Sequence, residues 1–298
     1  MTSHATGSPA PLMPTGRPRR WAEPRAGDIG PLTPHLYVPT AQRPLRAKLH
    51  QLSTDTRVLP HRHPWGQLAL SRTGVVRLTV KNGSFIVPPS RALWVPPGVE
   101  HALTVLEDAA LSTLYFHQAH GRFGPRLPKG DDAAWRQCRV LEVSELLRAL
   151  VLEMDVQPDG SPPLGPAQLQ RERLLGALVL DELRRAQPVR LGVDLPSDKR
   201  LLSLCEAVLD DPTRHTTLDA WARDAGASAR TMARLFRSEL GTSFVQWRQQ
   251  VLLARALSLA AQRRPMASIA AELGYASASA FSAMVKRSVG APPSRFFA

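Results

Sequence analysis

The sequence predicts an α+β fold, in which a β-barrel and a pair of helices precede an all-α domain. Three observations favour it: seven short alternating runs lie between about 45 and 117, a helical period begins after Gly130, and residues 199–298 read as helical throughout. The 298 residues suffice for about two domains of ordinary size. With 43% hydrophobic and 21% charged residues, the chain can bury a core and is not disordered as a whole.

Residues 1–40 are interpreted as a flexible tail and residues 41–130 as the barrel. The tail contains eight prolines and no sustained periodicity. The barrel follows from strands at a spacing of roughly 8–12 residues, which is typical of a sandwich or small barrel. In the run 75–80, Val76, Leu78 and Val80 share one face, as a half-buried antiparallel strand requires. Asn82 and Gly83 then supply the preferred pair for a hairpin turn.

Residues 131–187 predict a helical dimerisation region. Leu147, Leu150 and Val151 belong to one apolar stripe of a first helix. In a second helix, the apolar residues between 174 and 183 cover more than one face. We therefore expect this helix to pack on its own domain and on a second chain, which makes a homodimer. The stretch 188–198 breaks the periodicity with two prolines and a glycine, and is interpreted as the interdomain linker.

Residues 199–298 predict an all-α domain of two helix-turn-helix units joined by a long helix. In the first unit Gly226 takes the turn, and the small Ala222 four residues earlier allows the helices to cross closely. The same spacing recurs at Ala270 and Gly274, 48 residues further along (226 to 274). The joining helix at 243–262 spans roughly 30 Å at 1.5 Å per residue. Since one turn of DNA is about 34 Å, this helix can hold the second helices of both units in successive major grooves.

The second helix of each unit carries the candidate DNA contacts. Arg230 and Arg234 are placed to reach base edges, where arginine can pair bidentately with guanine, and Arg237 is placed for a phosphate. For any single arginine, a solvated surface charge is the alternative. The whole set of candidates is Ser228, Arg230, Thr231, Arg234, Arg237, Ser277, Ser279, Ser282, Lys286 and Arg287.

The net charge of the chain agrees with a polyanionic partner. There are 38 Lys and Arg against 25 Asp and Glu, which gives +13. A coding bias is the alternative explanation, because only 5 of the 38 basic residues are Lys. Cys138 and Cys205 form no disulfide or zinc spacing, and no apolar run of 18 residues occurs. We therefore expect a protein of the cytoplasm without a membrane partner.

Residues 217–297 resemble the DNA-binding domain of the AraC/XylS family of transcription regulators. Two segments carry the resemblance: SARTMARLFRSELGTSFVQWRQ and ASIAAELGYASASAFSAMVKRSVGAPPSRFF. Val285 departs from the family pattern, which usually has Phe there. The resemblance implies sequence-specific binding to double-stranded promoter DNA, and it makes RNA polymerase a further candidate partner.

Two histidine motifs in the barrel resemble those of the cupins. His61 and His63 lie two residues apart on one strand face, Gln67 follows four residues later, and His101 ends a PxGxxH run that begins at Pro96. In cupins three histidines and a glutamate at these positions converge on a metal inside the barrel. Many AraC-family regulators have such a barrel as their sensor domain, so the resemblance implies that this barrel senses a small molecule or a metal.

Gln67 replaces the carboxylate of the cupin motif, and this leaves two interpretations of the histidines. Three imidazoles and a weak amide ligand can still bind a divalent metal such as zinc, nickel or iron. Alternatively, the histidines line an effector pocket or form hydrogen bonds within the core. No further acid or nucleophile lies near the motifs, so we predict no catalytic residue and no enzyme activity.

The sequence as a whole predicts a DNA-binding transcription regulator whose cupin-like barrel senses an effector. Two alternatives stay open. One is a metal-dependent cupin enzyme fused to a DNA-binding domain, and the other is a ligand-independent DNA-binding dimer whose barrel serves dimerisation alone.

Overall fold

The predicted α+β class is confirmed by a computed structural model, which describes residues 27–81, 83–89, 91–118, 124–125, 134–189, 192–289 and 292–297. Asn82 of the predicted hairpin turn and residues 1–26 of the predicted tail lie outside the described residues. The strands are β1 Asp28–Ile29, β2 Leu45–Leu52, β3 Arg57–His61, β4 Gly66–Thr73, β5 Val76–Val80, β6 Gly83–Val87, β7 Arg91–Val95, β8 His101–Val105, β9 Ala109–Phe116, β10 Arg139–Glu142, β11 Pro188–Val189 and β12 Gly192–Asp194.

The described strands form two six-stranded sheets that enclose an apolar core. One sheet has the order β1-β3-β8-β5-β6-β12 and the other β11-β10-β7-β4-β9-β2. Strands β4 and β9 are buried along nearly their whole length, because one face lines the barrel and the other lies under two helices. These helices are α1 Glu145–Leu152 and α2 Pro166–Arg185.

Helix α2 buries one face and leaves a second apolar face exposed. Leu175, Val179 and Leu183 pack into the core between the helices and the barrel. Leu174 is 59% exposed and Leu178 is 48% exposed on the other side of the helix. The expected apolar residues therefore occupy two sides of α2, as the sequence indicates.

Two stretches that the sequence assigns to irregular chain contribute strands to the barrel. Strand β1 and a 3₁₀ turn at Pro34–Leu36 lie within the predicted tail. Strands β11 and β12 lie within the predicted linker 188–198, where β11 pairs with β10 and β12 pairs with β6. Val193 of β12 is 6% exposed and packs in the core of the C-terminal region. The segment before the helical domain is thus hydrogen-bonded to both sheets.

The C-terminal region consists of helices that pack around two aromatic cores. The helices are α3 Lys199–Asp210, α4 Leu218–Asp224, α5 Ala229–Leu240, α6 Phe244–Ala261, α7 Met266–Glu272, α8 Ala278–Val289 and α9 Pro293–Phe296. Trp221, Phe236 and Trp247 belong to the first core, and Phe281 and Val285 belong to the second. Val285 is fully buried, so the second core closes around this smaller side chain.

Left-handed glycines form the turns that the sequence predicts. Gly226 follows α4 with a φ of +63°, and Gly274 follows α7 with a φ of +76°. Because L side chains rarely adopt such angles, glycine suits both turns. None of the described helices is both long and apolar enough to cross a membrane.

Candidate DNA interface and effector site

The first recognition helix, α5, carries three exposed arginines on one face. Arg230, Arg234 and Arg237 are four and three residues apart, so their side chains lie on the same side of the helix. Among the described residues, none of the three has an ion pair with an acidic side chain. Their charges are therefore available to a polyanion.

Ser228 and Thr231 lie at the N-terminus of α5. Ser228 caps the helix by accepting a hydrogen bond from the Thr231 N–H at 3.2 Å, and the two hydroxyl oxygens lie 2.9 Å apart. One hydroxyl donates to the other, which leaves one O–H able to donate outward. The capping role is thus compatible with the predicted contact to DNA.

The second recognition helix, α8, presents short and cationic side chains. Ser277 caps it by accepting from the Ala280 N–H at 3.1 Å. The other candidate contacts differ in exposure: Ser279, Lys286 and Arg287 are exposed, and Ser282 is half-buried. Both recognition helices therefore begin with a serine cap and carry positive charge further along, and α6 joins the two units.

The barrel brings together all four residues of the cupin-like motifs. His61 at the end of β3 lies directly opposite His101 at the start of β8. Their ring centroids are 4.4 Å apart, and His63 lies 5.2 Å from His101 and 6.2 Å from His61. His101 is 1% exposed, and His63 and Gln67 are each 5% exposed.

Each of the three imidazoles has its Nδ1 occupied by the backbone. Burial lowers the pKa of all three, and that of His101 falls to about 3, so the rings are neutral near pH 7. A neutral ring that donates from Nδ1 keeps a lone pair on Nε2. The Nδ1 contacts are 2.8–2.9 Å long and join His61 to the Leu59 carbonyl, His63 to the Trp65 carbonyl and His101 to the Val99 carbonyl.

The arrangement does not fit a divalent metal. The Gln67 amide lies 2.9 Å from Nε2 of His63, so it occupies the lone pair that a metal would need. The nearer amide atom is the oxygen Oε1. Because the two ends of an amide are assigned from their hydrogen bonds, the turned amide, with its NH₂ donating to Nε2, is the one that suits a neutral His63 whose Nδ1 donates to the backbone. Within the described ranges, no group of three or more His, Cys, Asp or Glu side chains could hold a metal ion. His63 is thus hydrogen-bonded within the core, which is the second of the two interpretations of the histidines.

Two buried cations and a half-buried histidine on β2 lie beside this site, and sequence reasoning missed them. Arg46, Lys48 and His50 alternate along the strand, and Arg46 and Lys48 are each 2% exposed. Arg46 forms an ion pair with Asp159. Lys48 instead donates to the Thr33 hydroxyl at 3.1 Å. Burial lowers the pKa of Lys48 to about 8.

The barrel contacts the long helix α6 through one acidic side chain. The Glu107 carboxylate accepts hydrogen bonds from Arg255 at 3.3 Å, Ser258 at 2.8 Å and Gln262 at 2.6 Å. Ala254 and Leu257 of α6 pack against the barrel core beside it. The helix that joins the two recognition units is therefore fixed to the barrel.

Known proteins resemble both regions of the chain. Residues 221–298 match a helix-turn-helix domain family, and residues 44–179 match the AraC-like ligand binding domain. The HTH-type transcriptional regulator NimR of Escherichia coli (strain K12) is 32% identical over 246 residues, which are 82% of this chain and 84% of NimR. The arabinose operon regulatory protein of the same organism is 28% identical over 136 residues, which are 44% of this chain and 47% of that protein.

Among solved structures, ToxT from Vibrio cholerae aligns with most of the chain. The alignment covers 85% of this chain and 97% of ToxT, at 11% sequence identity and a TM-score of 0.34. The C-terminal domain of AraT, a response regulator from Geobacillus stearothermophilus, aligns with 37% of this chain and 87% of its own, at 22% identity and a TM-score of 0.32.

Proposed function

The chain belongs to the AraC family of transcriptional regulators, and on that premise we propose that it binds promoter DNA with both recognition helices and alters this binding when an effector enters the barrel. The observation that carries the proposal is the row of exposed arginines on α5, Arg230, Arg234 and Arg237, which form no ion pair within the part of the chain that the structure describes. A protein with this activity works where its DNA is, in the cytoplasm. RNA polymerase remains a predicted partner, and we assign no residue to that contact.

Removing an α5 arginine is expected to weaken operator binding selectively. Arg230→Ala or Arg234→Ala should cost about 1–3 kcal/mol on the specific site and relax base preference, because arginine reads guanine bidentately. Lys286→Ala should weaken all DNA similarly and flatten the salt dependence, as expected of a phosphate contact. Fluorescence anisotropy on DNA upstream of the gene, against scrambled DNA of equal length and at two salt concentrations, measures both effects.

Arg62→Ala provides the matched control, since Arg62 is an exposed arginine of the barrel. It should leave both affinities unchanged. If Arg230→Ala, Arg234→Ala and Lys286→Ala each lost the same affinity for specific and for scrambled DNA, the assigned roles would be contradicted. Wild-type protein that binds no upstream DNA better than scrambled DNA, in the absence and presence of effector candidates, would contradict the function itself.

The proposal includes a homodimer formed through α2. Leu174 and Leu178 lie one helical turn apart on its exposed face, and burying such a side chain is worth about 1.5–3 kcal/mol. Contiguous exposed apolar patches often mark protein–protein interaction sites. A dimer also places four recognition helices on DNA, which lengthens the site that is read.

Replacing both exposed leucines is expected to convert the dimer to a monomer. In Leu174→Gln/Leu178→Gln, light scattering after size exclusion should give the mass of one 32.7 kDa chain where the wild type gives two. Val245→Gln is the control, because Val245 is 61% exposed on α6 and lies far from α2 in sequence. A dimer that survives the double substitution, or a monomeric wild type, would exclude this interface.

Communication between barrel and DNA is proposed to run through α6. The Glu107 carboxylate fixes this helix to the barrel, and β12 leads directly into the helical region. A ligand that shifts either contact changes the relative position of the recognition helices, and so changes which DNA sites they occupy together. No enzyme activity is proposed, since the curated relative over most of the chain is a transcriptional regulator.

A further inference from the structure

We propose that the effector of this barrel is a small carboxylate, whose charged group pairs with Lys48 and whose hydroxyl or N–H group donates to His101. The inference rests on the proposed function, effector sensing by the barrel, and it specifies the ligand class. Its basis is a buried cation that has no acidic partner among the described residues, together with nearby histidines whose buried nitrogen atoms have no hydrogen-bond partner there.

Lys48 is an uncompensated charge inside the barrel. It is 2% exposed, and among the described residues it pairs with no carboxylate. Its Nζ donates to the Thr33 hydroxyl at 3.1 Å and lies 4.9 Å from the centroid of the Tyr37 ring. An ammonium has three N–H groups, so a neutral hydroxyl and a ring face leave donor capacity unused. Burying a charge in this way is costly unless a counter-ion completes the site.

The neighbouring Arg46 lies on the same strand face as Lys48 and, unlike Lys48, has an acidic partner among the described residues. It forms an ion pair with Asp159 and donates to the Gln157 carbonyl at 2.8 Å. Lys48, two residues along, has a hydroxyl where Arg46 has a carboxylate. The Thr33 hydroxyl thus occupies the position of a ligand oxygen, and a carboxylate would form the stronger, charge-assisted bond there.

Buried nitrogen atoms on and beside the histidines have no hydrogen-bond partner among the described residues. Nε2 of His50 and Nε2 of His101 are buried without a hydrogen-bond partner, and so is Nε1–H of Trp65. Because the His101 Nδ1 already donates, its Nε2 can accept from a ligand hydroxyl or N–H. The indole of Trp65 can donate to a ligand oxygen. Such a mixture of donors and acceptors suits a hydroxylated or amino-substituted acid.

The same charges that favour an anion oppose a metal cation. Burial is the main cause of the low pKa of His50 and of His61, and the positive charge of Lys48 lowers both further. A divalent ion would meet this positive field with no carboxylate to offset it. A carboxylate would offset the field, and it would also raise the affinity of the site for protons on the surrounding bases.

The test compares carboxylates with their neutral amides on the full chain. Calorimetric melting of wild-type protein is measured with salicylate, 4-hydroxybenzoate and lactate, and with salicylamide, 4-hydroxybenzamide and lactamide. We expect at least one acid to raise the melting temperature while its amide does not. In Lys48→Met the affinity for that acid, measured by titration calorimetry, should fall about tenfold or more, as the loss of a charge-assisted bond implies.

Two measurements on Lys48 variants decide whether Lys48 binds the ligand or is needed for folding. Without ligand, Lys48→Met should melt at a higher temperature than the wild type, because it removes a buried unpaired charge; a lysine needed for folding would give a lower temperature. Lys48→Gln keeps a hydrogen bond to Thr33 and should also lose the response to the acid. Lys81→Met is the matched control, since Lys81 is exposed, and it should keep the response.

The inference is overturned if the amides stabilise as well as the acids, if none of the acids stabilises, or if both Lys48 variants respond like the wild type. Operator binding is measured by anisotropy in the same wild-type samples. Specific DNA binding without any response to the acids would reject the carboxylate alone. An absence of specific DNA binding both with and without the acids would reject the proposed function as well.

Discussion

Trp247→Ala is expected to destabilise the C-terminal region by about 3–5 kcal/mol and to abolish operator binding. Trp247 is 1% exposed on α6, and its ring centroid lies 5.8 Å from that of Phe236 on the first recognition helix. Its indole N–H donates to the Asp194 carbonyl of β12 at 2.9 Å. One side chain therefore joins the recognition helix, the joining helix and the strand that leads from the barrel. Alanine would leave a cavity and remove the contacts that hold these three elements together.

Trp247→Phe is the matched variant, because it keeps an aromatic ring in the core while it removes the hydrogen bond and part of the packing volume. Its cost should be smaller, about 1–3 kcal/mol, which includes about 1 kcal/mol for the hydrogen bond. Urea unfolding followed by circular dichroism gives both losses, and anisotropy gives the operator affinity. If the alanine variant lost no more stability than the phenylalanine variant, packing against Phe236 would not be what Trp247 contributes.

The helix-turn-helix region was predictable from sequence because its signals are local. The spacing of Ala222 to Gly226 recurs at Ala270 to Gly274, and each glycine adopts the left-handed turn that the motif requires. The predicted long helix at 243–262 agrees with α6 at Phe244–Ala261. The family predicted from these segments is confirmed.

The strand that carries His61 was harder to predict. Strand β3 contains Pro60, and its pairing with β8 shifts in register between Val58 and His61. A proline lacks the N–H that a strand interior donates. A short run that contains a proline is therefore not predicted as a strand, even where its residues alternate. The histidine motif predicted residues that the fold brings close together, whereas the strand itself follows from tertiary pairing.

The orientation of β2 could not be derived from its pattern. Alternation places Leu45 and Ala47 on one face and Arg46 and Lys48 on the other. A half-buried strand normally turns its polar face to water. Here Leu45 and Ala47 pack under α2, so the cations face the barrel. Only the position of a helix far along the chain decides between the two faces, and the proposed effector site depends on which face turns inward.

Acidification from pH 7.5 to pH 5 is expected to destabilise the barrel by about 3 kcal/mol. Burial lowers the pKa of His101 to about 3, and burial together with Lys48 lowers that of His50 to about 4. In the unfolded chain both titrate near the ordinary pKa of about 6.5. Below about pH 6.5 the two histidines bind protons in the unfolded chain but not in the folded barrel. The free energy of unfolding therefore decreases as the pH falls toward the pKa values of the folded state.

The size of this loss of stability follows from the difference between pH 5 and the pKa of histidine in the unfolded chain. One pKa unit corresponds to about 1.4 kcal/mol, so His101 contributes about 2 kcal/mol, and the half-buried His50 contributes less because water screens it. Urea unfolding across this pH range measures the loss. His101→Gln should flatten the dependence by about two thirds, while His117→Gln, at an exposed histidine, should leave it unchanged. A pH dependence in His101→Gln that equals that of the wild type would mean that other groups carry the acid sensitivity, and that the imidazole of His101 is not held neutral by the fold.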